Sequence, residues 1–143
     1  MAVTAKVYSH LPYSLASKLA NLETDTIKCM LCTSSYTPSQ DDHDFKDDVD
    51  NEVSGTGYTA GGATMANNAV SISTTVTKFD GDDVQWTTST LTARYAVLYD
   101  STPGSDATDP VIGYVDFGED KSSEAGTFKL VWNASGIFTI TVS

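Results

Sequence analysis

The stretch Thr90–Asp100, Thr-Leu-Thr-Ala-Arg-Tyr-Ala-Val-Leu-Tyr-Asp, constrains the fold more than any other part of the chain. Leu91, Ala93, Tyr95, Val97 and Tyr99 alternate with Thr90, Thr92, Arg94, Ala96 and Leu98, the period of two that a strand resting on a core requires. The second set turns from polar to apolar along the run, so its face is expected to become covered toward Asp100. Val111–Phe117, Phe128–Trp132 and Ile137–Val142 follow at short intervals and are expected to pair with this strand in turn. Tyr95, Val97, Val115, Phe117, Leu130, Trp132 and Ile140 are the expected core.

Around this stretch, short apolar runs alternate with turn residues. Thr26–Thr33 reads as a strand, as do Ala69–Val76 and Val84–Thr88, the last carrying Trp86 inward. Asp80–Asp83, Ser101–Pro110, Glu119–Gly126 and Asn133–Gly136 carry turn chemistry. One helix is expected over Pro12–Leu22: Leu11, Leu15, Leu19 and Leu22 form one stripe, Ser9 is a candidate cap, and Pro12 suits the first turn. No strand period survives from Ser34 to Met65, which holds an acidic run and a glycine-rich stretch. The expected architecture is a single all-β domain over residues 1–143, an antiparallel β-sandwich or small barrel with one short N-terminal helix. Residues 1–11 form a candidate arm and 34–65 a long irregular excursion. A chain of 143 residues buries roughly 68–70% of its unfolded surface, enough to fold without disulfides or a metal.

The formal net charge of −11, with only eight basic residues and none clustered, argues against nucleic acid as a partner. It favours solubility and resists self-association. The first residues lack a basic segment followed by an apolar one, so no secretory signal is read. No apolar run approaches a membrane span of about 18 residues. The expectation is a soluble protein made in a cytoplasm, with no membrane partner.

Little in the chain reads as chemistry. Cys29 and Cys32 form a Cys-x-x-Cys, but in a strand positions three apart face opposite ways, so the two thiols are expected to pack rather than pair. A crosslink to another subunit is the alternative. Zinc would need further soft ligands, and only His10 and His43 exist. The run Asp41–Asp50 lacks the glycine of a calcium loop; Asp48, Asp50, Asn51 and Glu52 are the best ligand set it offers, and a solvated acidic loop is the simpler reading. No nucleophile–base motif or phosphate loop occurs, so no catalytic residue, cofactor or metal is assigned. Tyr95, Tyr99, Tyr114, Phe117, Trp86, Phe128 and Trp132 could form a sugar-binding face, yet each lies where strand alternation already buries a residue.

Four stretches together carry a resemblance: Thr24–Lys28 with Leu31–Pro38, Asn51–Thr64, Asp82–Val97, and Ile112–Gly118 with Gly136–Thr139. In this order they resemble a family of small virion proteins of tailed bacteriophages, encoded among head and tail genes. The resemblance implies a non-enzymatic structural protein of the virion, present in many copies. Within it, a capsid decoration (cement) protein seated on the major capsid protein lattice is favoured. A neck, tail or fibre component is the runner-up, and a carbohydrate-binding surface module is a different class. Homo-oligomerisation is expected too. Cys29 and Cys32 depart from the simple aliphatic alternation of that family. Contacts between subunits are expected from Met1–Leu11 and Ser34–Met65. Tyr36, Phe45 and Tyr58 would be apolar anchors, while Gly55, Gly57, Gly61 and Gly62 would let the backbone lie close to another surface. The alternative is that the excursion folds back over its own sheet.

Overall fold

Two antiparallel strands of unusual length form the spine. The computed structural model describes residues 2–143. β1 (Thr4–Val7), α1 (Leu11–Ala16), β2 (Ile27–Cys32), β3 (Ala63–Thr64), β4 (Ala69–Ser73), β5 (Val76–Asp80), β6 (Val84–Asp100), β7 (Val111–Leu130) and β8 (Phe138–Thr141) follow in chain order. One sheet has the order β1-β7-β6-β2-β3; a smaller one runs β4-β5-β8. All pairings are antiparallel. The fold is the expected mostly-β, sandwich-like class with one short helix, and its sheets do not close into a barrel.

The smaller sheet packs on one face of the larger. Ile27, Cys29, Leu31, Trp86, Leu91, Phe117 and Phe128 share one buried cluster with Phe79 of β5, with Val70 and Phe138 at the margin. The opposite face is covered by the chain's own excursion: Tyr8, Met30, Cys32, Tyr36, Val97, Tyr99 and Val111 form a second buried cluster, flanked by Val49 and Tyr95. Both faces of β2 are therefore buried. Cys29 and Cys32 fall in different clusters, as the strand period requires. Val97, Phe117 and Leu130 are core residues as expected. Tyr95, Val115 and Trp132 are only half-buried, and Ile140 is 46% exposed.

The spine departs from the expected strands in three ways. First, Val84–Thr88 and Thr90–Asp100 are one strand, interrupted at Thr88 (φ 48°). Second, the loop expected at Glu119–Gly126 is the middle of β7, pairing Ala93 with Lys121 and Leu91 with Ser123. Third, the register shifts between Ala93 and Tyr95. The shift is an odd number of residues, with Phe117–Asp120 of β7 standing opposite Arg94 alone, and it turns every later side chain of β6 over. Leu91 and Ala93 thus share the first core with Ala96 and Leu98, while Tyr95, Val97 and Tyr99 belong to the second. The single face expected for Leu91 through Tyr99 is split in two. Arg94 sits at the shift, its Nε donating to Asp116 Oδ1 on β7 at 2.7 Å.

Elsewhere, α1 ends six residues before Leu22. Ser17 Oγ bonds Tyr13 O at 2.6 Å, and Lys18 turns left-handed at φ 63°. Leu22 is buried all the same, reached through a turn, whereas Leu19 is 39% exposed. His10, not Ser9, begins the helix; Ser9 Oγ instead donates to Asp41. Ala69–Val76 is not one strand but a hairpin turning at Thr74-Thr75, with Thr74 at φ 55°. β8 pairs with β5 of the small sheet and not with the spine.

Candidate functional site: an apolar groove between the sheets

The excursion makes its contacts within the chain. Tyr36 is 1% exposed: its hydroxyl lies 2.8 Å from that of Tyr8 and 2.9 Å from His43 Nδ1. Burial first, then their mutual hydrogen bond, pushes the Tyr8 phenol far above the tyrosine range. Tyr58 is half-buried on the opposite face, beside Trp86, donating to Glu52 Oε2 at 2.7 Å and accepting the Leu31 N–H at 2.9 Å. Phe45 is half-buried against His10. The three expected anchors therefore lie apart, and Tyr36 has no surface to offer another subunit. Close approach by glycine does occur, but against this chain. A Cβ on Gly55 would stand 2.6 Å from Thr90 O, and one on Gly57 2.9 Å from Ser89 Cα. At Gly62 (φ 84°) it would overlap the Cys29 carbonyl; at Gly61 it would meet the Tyr99 hydroxyl, which donates to Gly61 O. The alternative reading of the excursion, as a cover over its own sheet, describes these contacts.

The acidic run is largely spent on its own loop. Asp48 Oδ2 accepts from the Asp44 and Phe45 N–H groups, Asp42 pairs with Ser39, and Lys46 bridges to Asp106 at 2.9 Å. Glu52 Oε2 also takes the Gly61 N–H. Among the described residues, no group of three His, Cys, Asp or Glu side chains is placed to hold a metal ion. His10 lies beside Ser14 and Phe45, and His43 beside Tyr36. Both thiols are buried; burial raises that of Cys29, and it pushes Cys32 up to about 12, with Glu52 and Asp50 adding to the effect. The sugar-face aromatics divide between buried (Trp86, Tyr99, Phe117, Phe128) and half-buried (Tyr95, Tyr114, Trp132). They form no exposed platform.

What stays open is a groove of about 780 Å³ where the two sheets part. The small sheet covers only part of the larger sheet's face, so the β1–β7 side is left unroofed. The floor includes Val7, Val115 and Phe117; Ile137 and Phe138, at the start of β8, form the far wall. Val3 (60% exposed) and Val131 (66%) stand at its mouth. Trp132 anchors one end through its backbone N–H to Asp83 Oδ1 and its indole N–H to Asp82 O, both at 3.0 Å. In a chain with 19 acidic residues, the lining holds Lys6, Lys121 and Lys129 and no carboxylate. β1 and β8 end their respective sheets, so both flanking strands present an unpaired edge.

The candidate arm at residues 1–11 instead supplies β1, which lines this groove. The alternation Val3, Ala5, Val7 was the available signal. Among the described residues, no helix is long and apolar enough to cross a membrane. Compared with protein-family models, curated proteins and solved structures, the chain matches none.

Proposed function

We propose that the chain is a non-enzymatic structural component of a tailed-phage virion, a capsid decoration protein bound to the major capsid protein lattice. The observation that carries this reading is the pairing of a self-covered domain with an open apolar groove between unpaired strand edges. Exposed apolar surface of this kind marks a site of contact with another macromolecule, and strand edges accept extended segments of a partner. The surrounding acidity suits a subunit on an outer shell, where charge steers assembly. The resemblance of Asn51–Thr64 and Asp82–Val97 to small phage virion proteins supplies the particle. A neck or tail position would place the same surfaces in a ring.

Quantitative mass spectrometry of purified particles tests the reading. Decoration of a capsid lattice requires copies in the hundreds, whereas a ring of closed rotational symmetry gives about six or twelve. Absence of the protein from washed particles would overturn the virion assignment altogether.

A further inference from the structure

The core-facing side of the small sheet does not stop where the core stops. Val70, Phe79 and Phe138 stand in register across β4, β5 and β8 and pack against the body. Two residues along each strand, Ile72, Thr77 and Ile140 stand in register as well. Side chains two apart share a face, so this second row continues the apolar face, with Val142 next in line. Yet Ile72 is 75% exposed, Ile140 46% and Val142 70%. The small sheet projects beyond the body as a ribbon with a bare apolar tip. The hollow beside it, about 530 Å³, is lined by Glu23 and Asp25 against a single cation, Lys18.

This chain therefore carries two uncovered apolar surfaces of different shape and opposite charge: a projecting ribbon with acidic surroundings and a groove with three lysines and no acid. We propose that copies of the chain associate head to tail, the ribbon tip of one copy entering the groove of the next. Ile72, Ile140 and Val142 would meet Val3, Val115 and Val131. Matching charge favours this orientation, and like charge disfavours ribbon-to-ribbon and groove-to-groove pairing. Lys121 and Lys129 hold Glu119 and Asp83 in the free chain, but these are exposed pairs that contribute little and exchange readily. Because the two patches differ, the contact is heterologous and propagates into a ring or an open array. It rests on the two surfaces and not on the virion assignment, and its test is independent of particles.

Sedimentation velocity on the full chain, with two variants, tests the proposal. Ile72→Lys blunts the ribbon and Val131→Glu blocks the groove; both positions face solvent, and far-ultraviolet dichroism with thermal melting checks that each variant folds. Wild type is expected to grow in sedimentation coefficient with concentration, while each variant alone stays monomeric. An equimolar mixture retains one intact ribbon and one intact groove, so it is expected to form dimers and nothing larger. A wild type that stays monomeric throughout would overturn the proposal, as would folded variants that still associate or a mixture that stays monomeric. Should Ile72→Lys fold poorly, Val142→Lys makes the same test.

Discussion

Asp100 is the side chain most at odds with its surroundings. It is fully buried, and its Oδ2 has no hydrogen-bond partner, while Oδ1 accepts the Thr102 N–H at 3.0 Å. Burial, followed by the neighbouring Asp25 carboxyl, lifts its pKa from 3.8 to about 7. The folded state thus holds this proton more tightly than the unfolded chain does, so stability falls as pH rises from about 4 through 7. Asp116 acts in the opposite sense: the Arg94 hydrogen bond lowers its pKa, so its contribution is lost only as pH falls below the usual carboxylate range. Wild type is expected to melt at a lower temperature at pH 8 than at pH 5, and Asp100→Asn is expected to flatten that difference. Calorimetry at both pH values checks this; a variant with the wild-type slope would refute it. The cysteines give a second residue-scale prediction. A buried thiol of raised pKa supplies no thiolate, so a thiol reagent is expected to leave native Cys29 and Cys32 unmodified and to titrate both after denaturation. Fast modification of either in the native protein would contradict the packing described, and would reopen the crosslink alternative.

The elements show which signals a sequence carries and which it hides. β2 was legible because Ile27–Cys32 is apolar but for Lys28 and is bounded by polar residues. The middle of β7 was not, because Lys121–Glu124 runs past the covered part of the sheet, where no alternation is demanded of it. The face switch at Arg94 was equally hidden: a register irregularity carries no marker in composition. Nor did the β4–β5 hairpin announce itself, since its turn uses Thr74-Thr75 in place of the usual glycine or asparagine. In the excursion, the glycines signal close approach, but the surface they approach is set by tertiary packing. That packing is testable. Gly62→Ala would force a Cβ into the Cys29 carbonyl at a left-handed φ, and is expected to cost about 3 kcal/mol. Gly104 has a similar φ of 93° but lies in an open loop, its nearest atom 3.9 Å away, so Gly104→Ala is expected to cost only about 1 kcal/mol. Equal costs in chemical denaturation would show that the excursion does not press on β2.

At the scale of the molecule, one cover is built in and one is missing. The excursion seals one face of the large sheet with Tyr36, Val49 and the Tyr8–Tyr36–His43 hydrogen bonds, whereas the small sheet roofs only part of the other face. Trp86, sealed beneath the roofed part, is expected to cost about 3–5 kcal/mol on truncation to alanine; half-buried Trp132, at the groove's end, is expected to cost less. If the protein works as a virion component, its contacts belong to the groove and the flanking strand edges, not to the loop that looked free in sequence. Hydrogen exchange on the free protein and on intact particles measures this most directly. The amides of Val49, Val53, Tyr58 and Gly62, bonded to Lys46, Leu31, Gly55 and Thr59 within the chain, are expected to be equally protected in both states. Those of β1 and β8 are expected to gain protection in the particle relative to the free protein diluted to its monomer. The reverse pattern, with residues 34–65 protected only in the virion and β1 and β8 unchanged, would contradict it.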